Sequence, residues 1–266
     1  MSQIKTVKLL AQLVQVSSIY PHEEKISQAL SQLLGQLGFG VRKQKVADKR
    51  FNILASKGQG KSLLFFGHLD TVGLTSGWKT DPYQLTQKGN KLYGLGAWDM
   101  KGGIAAVLSA IDGFDPKGFK LKLAFVVDEE NYSLGMHTLI KSGWLKDVAG
   151  AICPEPSFSA GYKGIALGRI GRSVYKVTVN TSGGHVYQVE SRANAISESY
   201  KLLEVLRKFK PVSHKNLGDF VIFPRFIKGG ANSMSIPGEV VIELEAQLVP
   251  PQTAESVLNE IRSILS

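Results

Sequence analysis

Leu63-Leu64-Phe65-Phe66-Gly67-His68-Leu69-Asp70 runs a bulky apolar stretch into a glycine and then into two metal-competent side chains. A short apolar run bounded by Gly60-Lys61 on one side and polar residues on the other reads as a buried strand. Alternation along it puts His68 and Asp70 on one face, where Asp70 can accept the second imidazole N–H and orient the ring for a metal. Outward from this stretch the pattern repeats. Strands are expected over 51–55, 62–66, 121–127 and 149–153, with helices over 22–37, 102–111 and 136–141. The helix over 22–37 carries Glu23 and Glu24 in its first turn and stops at Gly38. Strands alternating with helices predict an α/β fold, a mainly parallel sheet with helices on both faces. Ligands then gather at the carboxyl ends of the strands, and His68, Glu129, Glu130 and Glu155 all follow such ends.

The 266 residues are long for one core and predict two domains. Apolar residues make up 43% and charged residues 20%, an ordinary balance for a globular chain. No apolar run is long enough for a membrane span, and the amphipathic helix over 1–16 lacks the unbroken apolar stretch of a signal peptide. With a single cysteine, Cys153, the expected setting is reducing and cytoplasmic. Cys153 has no activating His nearby in sequence and reads as core packing. The net charge of +10 comes from scattered Lys and Arg with no basic run among exposed aromatics, so it predicts a solvated basic surface and no nucleic-acid partner.

After Gly164 the character changes. Residues 173–180 alternate as a half-exposed strand, 193–209 form a helix, 220–227 and 240–249 are strands, and 253–265 is a helix. This β-α-β-β-α order is a ferredoxin-like split unit short of one strand. The domain expectation is therefore 1–167 and 168–266.

Each acidic segment has a bland reading as well as a chemical one. His68-Leu69-Asp70 could be a satisfied polar pair, Asp99 a helix cap, Asp128-Glu129-Glu130 an exposed turn, and Pro154-Glu155-Pro156 a plain loop. Taken together, these bland readings require unrelated accidents at successive strand ends of one sheet. Three adjacent carboxylates also repel one another, and a buried strand end tolerates them only where cations compensate. Two other motifs are weaker. Residues 55–62 resemble a phosphate loop but have Ala55 at its first glycine and feed a strand, so they read as a hairpin-type turn. Gly94-Leu95-Gly96 opens like a dinucleotide fingerprint but has Asp99 where its third glycine belongs.

His68-Leu69-Asp70-Thr71-Val72, Leu92-Tyr93-Gly94 through Gly103, Asp128-Glu129-Glu130 and Glu155-Pro156-Ser157 resemble the M20 metallopeptidases and deacylases. That group includes carboxypeptidase G-type enzymes, acetylornithine deacetylase and succinyl-diaminopimelate desuccinylase. The resemblance extends through Gly168-Arg169-Ile170-Gly171, Gly184-His185 and Asn194-Ala195, which are similar to the family's inserted lid or dimerisation domain. It continues through Gly229-Gly230-Ala231-Asn232 and Ile236-Pro237, which are similar to its substrate-facing segment.

The resemblance implies a pair of divalent ions, zinc foremost with cobalt or manganese as alternatives, and hydrolysis of amide bonds in peptides or N-acyl amino acids. By this likeness Asp99 bridges the ions, His68 and Glu155 complete one position, and Glu130 serves the other. Glu129 is the implied general base, acting on a water whose pKa the ions lower, and Asp70 orients His68. His185, reaching from a second subunit, stabilises the oxyanion, and Asn232 holds substrate. A homodimer through the lid is implied as well. The sequence departs from the family in two places. Gln247 stands where an Arg usually binds a substrate carboxylate. None of the five histidines (His22, His68, His137, His185, His214) lies past the lid, where the family supplies a final ligand to the second ion. The sequence therefore predicts an incomplete second metal position, with a truncated, non-catalytic homologue that binds metal or ligand and dimerises as the alternative reading.

Overall fold

The computed structural model describes residues 3–156 and 168–265. The chain divides into two compact units, Met1–Gly164 and Ile165–Ser266. The expected boundary at residue 167 and the motif residue Ser157 lie outside the described residues.

The first unit opens with helices α1 (Gln3–Gln15) and α2 (Glu24–Gln36), then strands β1 (Gly40–Ala47), β2 (Arg50–Gly58) and β3 (Ser62–His68). A small hairpin, β4 (Thr86–Lys88) with β5 (Lys91–Tyr93), leads to α3 (Lys101–Ile111), β6 (Lys120–Val126), α4 (Leu134–Lys141) and β7 (Val148–Ile152). The sheet order is β1-β2-β6-β3-β7. β3 runs parallel to both β6 and β7, whereas β1 and β2 add an antiparallel edge.

Strand alternation divides the side chains between two cores. Ile53, Ala55, Leu121, Leu123 and Phe125 face α1, α2 and α3, while Leu54, Leu64, Ala124 and Val126 face α4. Ile26, Leu30 and Leu34 of α2 are fully buried, a spacing that lines one side of a helix. Removing each from water contributes about 2 kcal/mol. Helices on both faces and a central β6 buried along nearly its whole length are the α/β architecture expected.

One strand was not expected, and two local expectations are corrected. β1 carries Arg42, Lys43 and Lys45 on an edge with one solvated side, so its charge concealed it from an apolar-run reading. The turn from β2 to β3 is not a hairpin, because β6 lies between those strands. Cys153 is exposed and not in the core, since β7 has β3 alone beside it among the described residues and most of its side chains face outward.

The second unit contains β8 (Gly171–Asn180), β9 (Gly184–His185), α5 (Ala195–Val205), β10 (Ser213–His214), β11 (Gly218–Asp219), β12 (Val221–Gly229), β13 (Ser235–Ile236), β14 (Glu239–Leu248) and α6 (Ala254–Leu265). Its main sheet is antiparallel in the order β12-β14-β8. Val240, Ile242, Leu244, Ala246 and Leu248 of β14 are buried with Leu202 of α5 and with Val257 and Ile261 of α6. Glu243 and Glu245 alternate onto the other face and pair there with Arg225 and Arg172. The β-α-β-β-α order matches the ferredoxin-like expectation, with small β9/β13 and β10/β11 ladders added.

Candidate metal centre

The parallel register sets His68 opposite Val126, so β3 and β6 end side by side and release their loops at one edge. Leu69 N–H donates to the Val126 carbonyl at 2.8 Å and continues the ladder by one step. Gly67 leaves room for Met100 to pack over it: a Cβ would stand 2.2 Å from the Met100 methyl, so a larger residue would push that side chain aside. The His68 N–H lies 3.1 Å from the same thioether sulfur. This contact brings the turn before α3, and Asp99 with it, onto the end of β3. Gly103, on the first turn of α3, lies so close to the Pro154 carbonyl that a Cβ would come within 2.2 Å of it, which places the Glu155 loop beside the same helix.

His68 is 2% exposed. Its Nε2 lies 2.9 Å from Asp99 Oδ1 and its Nδ1 2.9 Å from the Asp70 backbone carbonyl. The Asp70 carboxylate is 3.7 Å from Nδ1 and accepts the backbone N–H groups of Glu129 (3.2 Å) and Glu130 (2.9 Å). Asp70 therefore touches the ring through its main chain and braces the next ligand loop through its side chain. The ring nitrogen of His68 and one carboxylate oxygen each from Asp99 and Glu130 lie within 4.8 Å of one another. Glu155 stands outside this trio and near Glu129, whose carboxyl its charge helps to raise.

The electrostatics identify what the cluster lacks. Burial raises the Glu130 carboxyl to about 7; His68 opposes the rise, and the charges of Asp99, Glu129 and Asp70 add to it. Glu129 is raised for the same reasons. Burial disfavours a charged His68, yet its bonds to Asp70 and Asp99 and the surrounding carboxylates push it up to about 11. Asp70 goes the other way: burial would raise it, but His68 and the two loop N–H groups hold it below its ordinary value. Negative charge is thus concentrated around a single imidazole. Nitrogen and oxygen donors, half-buried and short of positive charge, fit a divalent cation.

Asp128, first of the three adjacent acids, does not join this group. Its carboxylate is fully buried and pairs with Arg50 at 2.9 Å, and Arg50 in turn binds Glu23. Glu23, expected in the first turn of a helix, is the buried residue just before α2. No local signal marks this triad, because its members lie 27 and 78 residues apart. Lys101, equally buried, donates to the Val16 carbonyl at 2.8 Å, and desolvation lowers it to about 8.

The remaining predicted site residues lie in the second unit. His185 is exposed on β9, stacked on Tyr187 at 5.0 Å, with Nδ1 accepting the Tyr187 N–H at 3.4 Å. Asn232 is exposed between β12 and β13.

Known proteins share the sequence pattern and the fold of this chain. Residues 64–262 match the family described as peptidase family M20/M25/M40. Acetylornithine deacetylase of Vibrio vulnificus is 31% identical over 270 residues, covering 94% of this chain and 69% of that protein. A probable succinyl-diaminopimelate desuccinylase of Staphylococcus epidermidis is 27% identical, with the same coverage of 94% and 69%. Among solved structures, an M20 family metallo-carboxypeptidase from Sulfolobus solfataricus shares the fold at a TM-score of 0.79 and 17% identity, over 100% of this chain and 75% of that one. Human carnosine dipeptidase 1 does so at 0.74 and 19% identity, over 99% and 74%. No helix among the described residues is long and apolar enough to cross a membrane. By the extent of its matched segment and by its likeness to the deacetylase, the chain belongs to peptidase family M20/M25/M40.

Proposed function

We propose that this protein hydrolyses amide bonds in small peptides or N-acyl amino acids, using divalent metal ions held at the ends of β3, β6 and β7 and in the turn before α3. The observation that carries the reading is the convergence of His68, Asp99 and Glu130, with Glu129 on the same loop as Glu130. His68, Asp99 and Glu155 would hold one ion, and Asp99 and Glu130 would contribute to a second. Zinc suits the mixed nitrogen and oxygen donors, and cobalt or manganese fits the same set. Such ions, when bound, acidify water and polarise a carbonyl.

The chain's own residues supply the rest. Glu129, raised from its ordinary value by burial and neighbouring charge, accepts a proton from the attacking water. The water oxygen forms the new bond to the amide carbon, the C–N bond breaks, and the proton passes from Glu129 to the departing amine nitrogen. Asp70 fixes the His68 ring through its carbonyl and the Glu129-Glu130 backbone through its carboxylate. His185, brought by a second copy of the chain, donates to the carbonyl oxygen as negative charge develops on it, and Asn232 holds the acyl group. The second unit is the dimerisation domain in this reading, and a reducing cytoplasm suits the exposed Cys153 thiol.

The test is hydrolysis of a panel containing N-acetyl and N-succinyl amino acids and dipeptides, with zinc content measured on the same preparation. Turnover that is lost with chelator and restored by zinc supports the reading. Metal binding without turnover across the panel points to the non-catalytic alternative, and failure to bind zinc, cobalt or manganese overturns the proposal.

A further inference from the structure

We propose that Arg50, locked by Glu23, is a positioning residue that sets the Glu129-Glu130 loop through Asp128. The proposal rests on the reading of Glu129 as base and Glu130 as ligand. Asp128 adopts a left-handed conformation, with φ +72°, which a non-glycine residue holds only where its surroundings fix it. Its Oδ2 accepts the N–H groups of Tyr132 (3.2 Å) and Leu134 (3.0 Å), and its own carbonyl accepts Ser133 N–H at 2.6 Å. The loop therefore winds around this carboxylate, and Arg50 Nη1 fixes the carboxylate itself at 2.9 Å.

Arg50 has little freedom to move. Its Nε donates to Glu23 Oε2 at 2.8 Å and its Nη2 to Glu23 Oε1, a two-pronged clamp. The Tyr20 ring lies 4.8 Å from the guanidinium carbon, and the Tyr20 hydroxyl accepts a hydrogen bond from Asn131 Nδ2 at 2.8 Å. The cluster also reaches the other ligand loop. Tyr20 N–H donates to the Thr71 carbonyl and Thr71 N–H to the Ser18 carbonyl, both at 3.0 Å. The segment that covers Arg50 thus borders Thr71, one residue past Asp70. Asn52, two residues along β2, secures the ends of the acidic loop: its Oδ1 accepts Val127 N–H at 3.1 Å and its Nδ2 donates to the Gly135 carbonyl at 2.8 Å. With both ends and the centre held from β2, the loop has one way to present Glu129 and Glu130.

Stability alone does not account for the arrangement. Burying one cation with two carboxylates carries a desolvation cost that well-packed apolar side chains avoid. Lysine is also a poor substitute, because a point charge cannot bind two carboxylates along separate edges of a planar fork.

The test compares Arg50→Lys and Arg50→Met with Glu129→Gln, Glu130→Gln and a control, Lys122→Met, in the full chain. Lys122→Met removes another ion pair of the same sheet, between buried Lys122 and partly exposed Asp147, away from the loop. Zinc affinity is read by competition calorimetry, kcat and KM on an N-acyl amino acid that the wild type hydrolyses, and folding by circular dichroism. We expect Arg50→Met to lose about 10- to 100-fold in zinc affinity and in kcat, as loss of an outer partner of a ligand does. KM should stay within about threefold, Arg50→Lys should recover part of the loss, and Lys122→Met should match wild type in both readouts. Folded Arg50 variants that bind zinc and turn over like wild type overturn the inference. Equal losses in Lys122→Met do the same by revealing general destabilisation. If Arg50→Met fails to fold, Arg50→Lys decides; if the chain has no turnover, zinc affinity decides. Wild-type zinc binding in Glu130→Gln together with wild-type turnover in Glu129→Gln removes the reading of the loop and this inference with it. Losses in those two variants with none in folded Arg50 variants remove the inference alone.

Discussion

Asp128 and Glu130 stand two residues apart on one loop and end in opposite electrostatic situations. Asp128 and Glu23 share Arg50, a cation the fold itself brings, and all three are buried. Burial works against the guanidinium's charge, but the bonds to Glu23 and Asp128 outweigh it and hold Arg50 well above its ordinary value. Glu130 and Asp99 converge instead on His68, with Glu129 and Asp70 adding further negative charge that one imidazole cannot balance. The same residue types thus make a brace in one cluster and, in the proposed reading, a cation site in the other. What separates them is whether the protein supplies the positive charge.

Four experiments probe this contrast, in order of falling effect. Glu129→Gln keeps the shape of the loop but removes the proposed proton acceptor. Turnover should fall by about 10³-fold, within the usual range for a general base, while zinc stoichiometry stays at the wild-type value; steady-state kinetics beside metal analysis checks both. Arg50→Met strips the balanced cluster of its cation and leaves two buried carboxylates. Urea denaturation should register a loss of about 3–5 kcal/mol, and a much smaller loss would mean the cluster is not the brace described.

The third experiment uses pH on the unbalanced cluster. Glu130, raised to about 7 from an ordinary 4.5, binds its proton more tightly folded than unfolded. Its contribution to the metal-free protein's stability is therefore complete below the unfolded value and lost as pH rises through about 7. Melting scans in chelator at about pH 5 and pH 8 should show Glu130→Gln flattening that decline. Zinc competes with the same proton, so its affinity should rise across the same window. The smallest effect belongs to the second unit, where Arg172 and Glu245 pair at 2.9 Å with the arginine side chain one-third exposed. Arg172→Ala should cost about 1 kcal/mol or less by denaturant melting; a larger loss would show that partial exposure does not separate this pair from the buried triad.

Part of this contrast is legible in the sequence. The apolar runs before His68 and before Asp128 announce strands, and the acids that follow them mark the edge where a site must form. The expectation that three adjacent carboxylates need compensating cations also points the right way. What it misses is that one compensating charge is Arg50, supplied by a strand 78 residues earlier, so that Asp128 is spoken for before any metal enters. Asp70 shows a similar limit. Its spacing from His68 suggests a ring partner, and the ring does lie against it, but its carboxylate also accepts the Glu129 and Glu130 amides, a contact across 59 and 60 residues that spacing does not reveal. β1 escapes notice because an edge strand with lysines on its solvated side carries no apolar run. Cys153 looks apolar enough for a core, but β7 is too weakly covered to bury it.

Residue order alone is enough for the alternation of strands and helices, the split unit that follows, and the four segments that carry ligand-type side chains. These depend on local periodicity and on residues that act where they stand. Which acids are neutralised by the chain and which are left without a cation of their own emerges from the folded chain alone, because that depends on side chains far apart in sequence sharing one buried space, where an unpaired charge is costly.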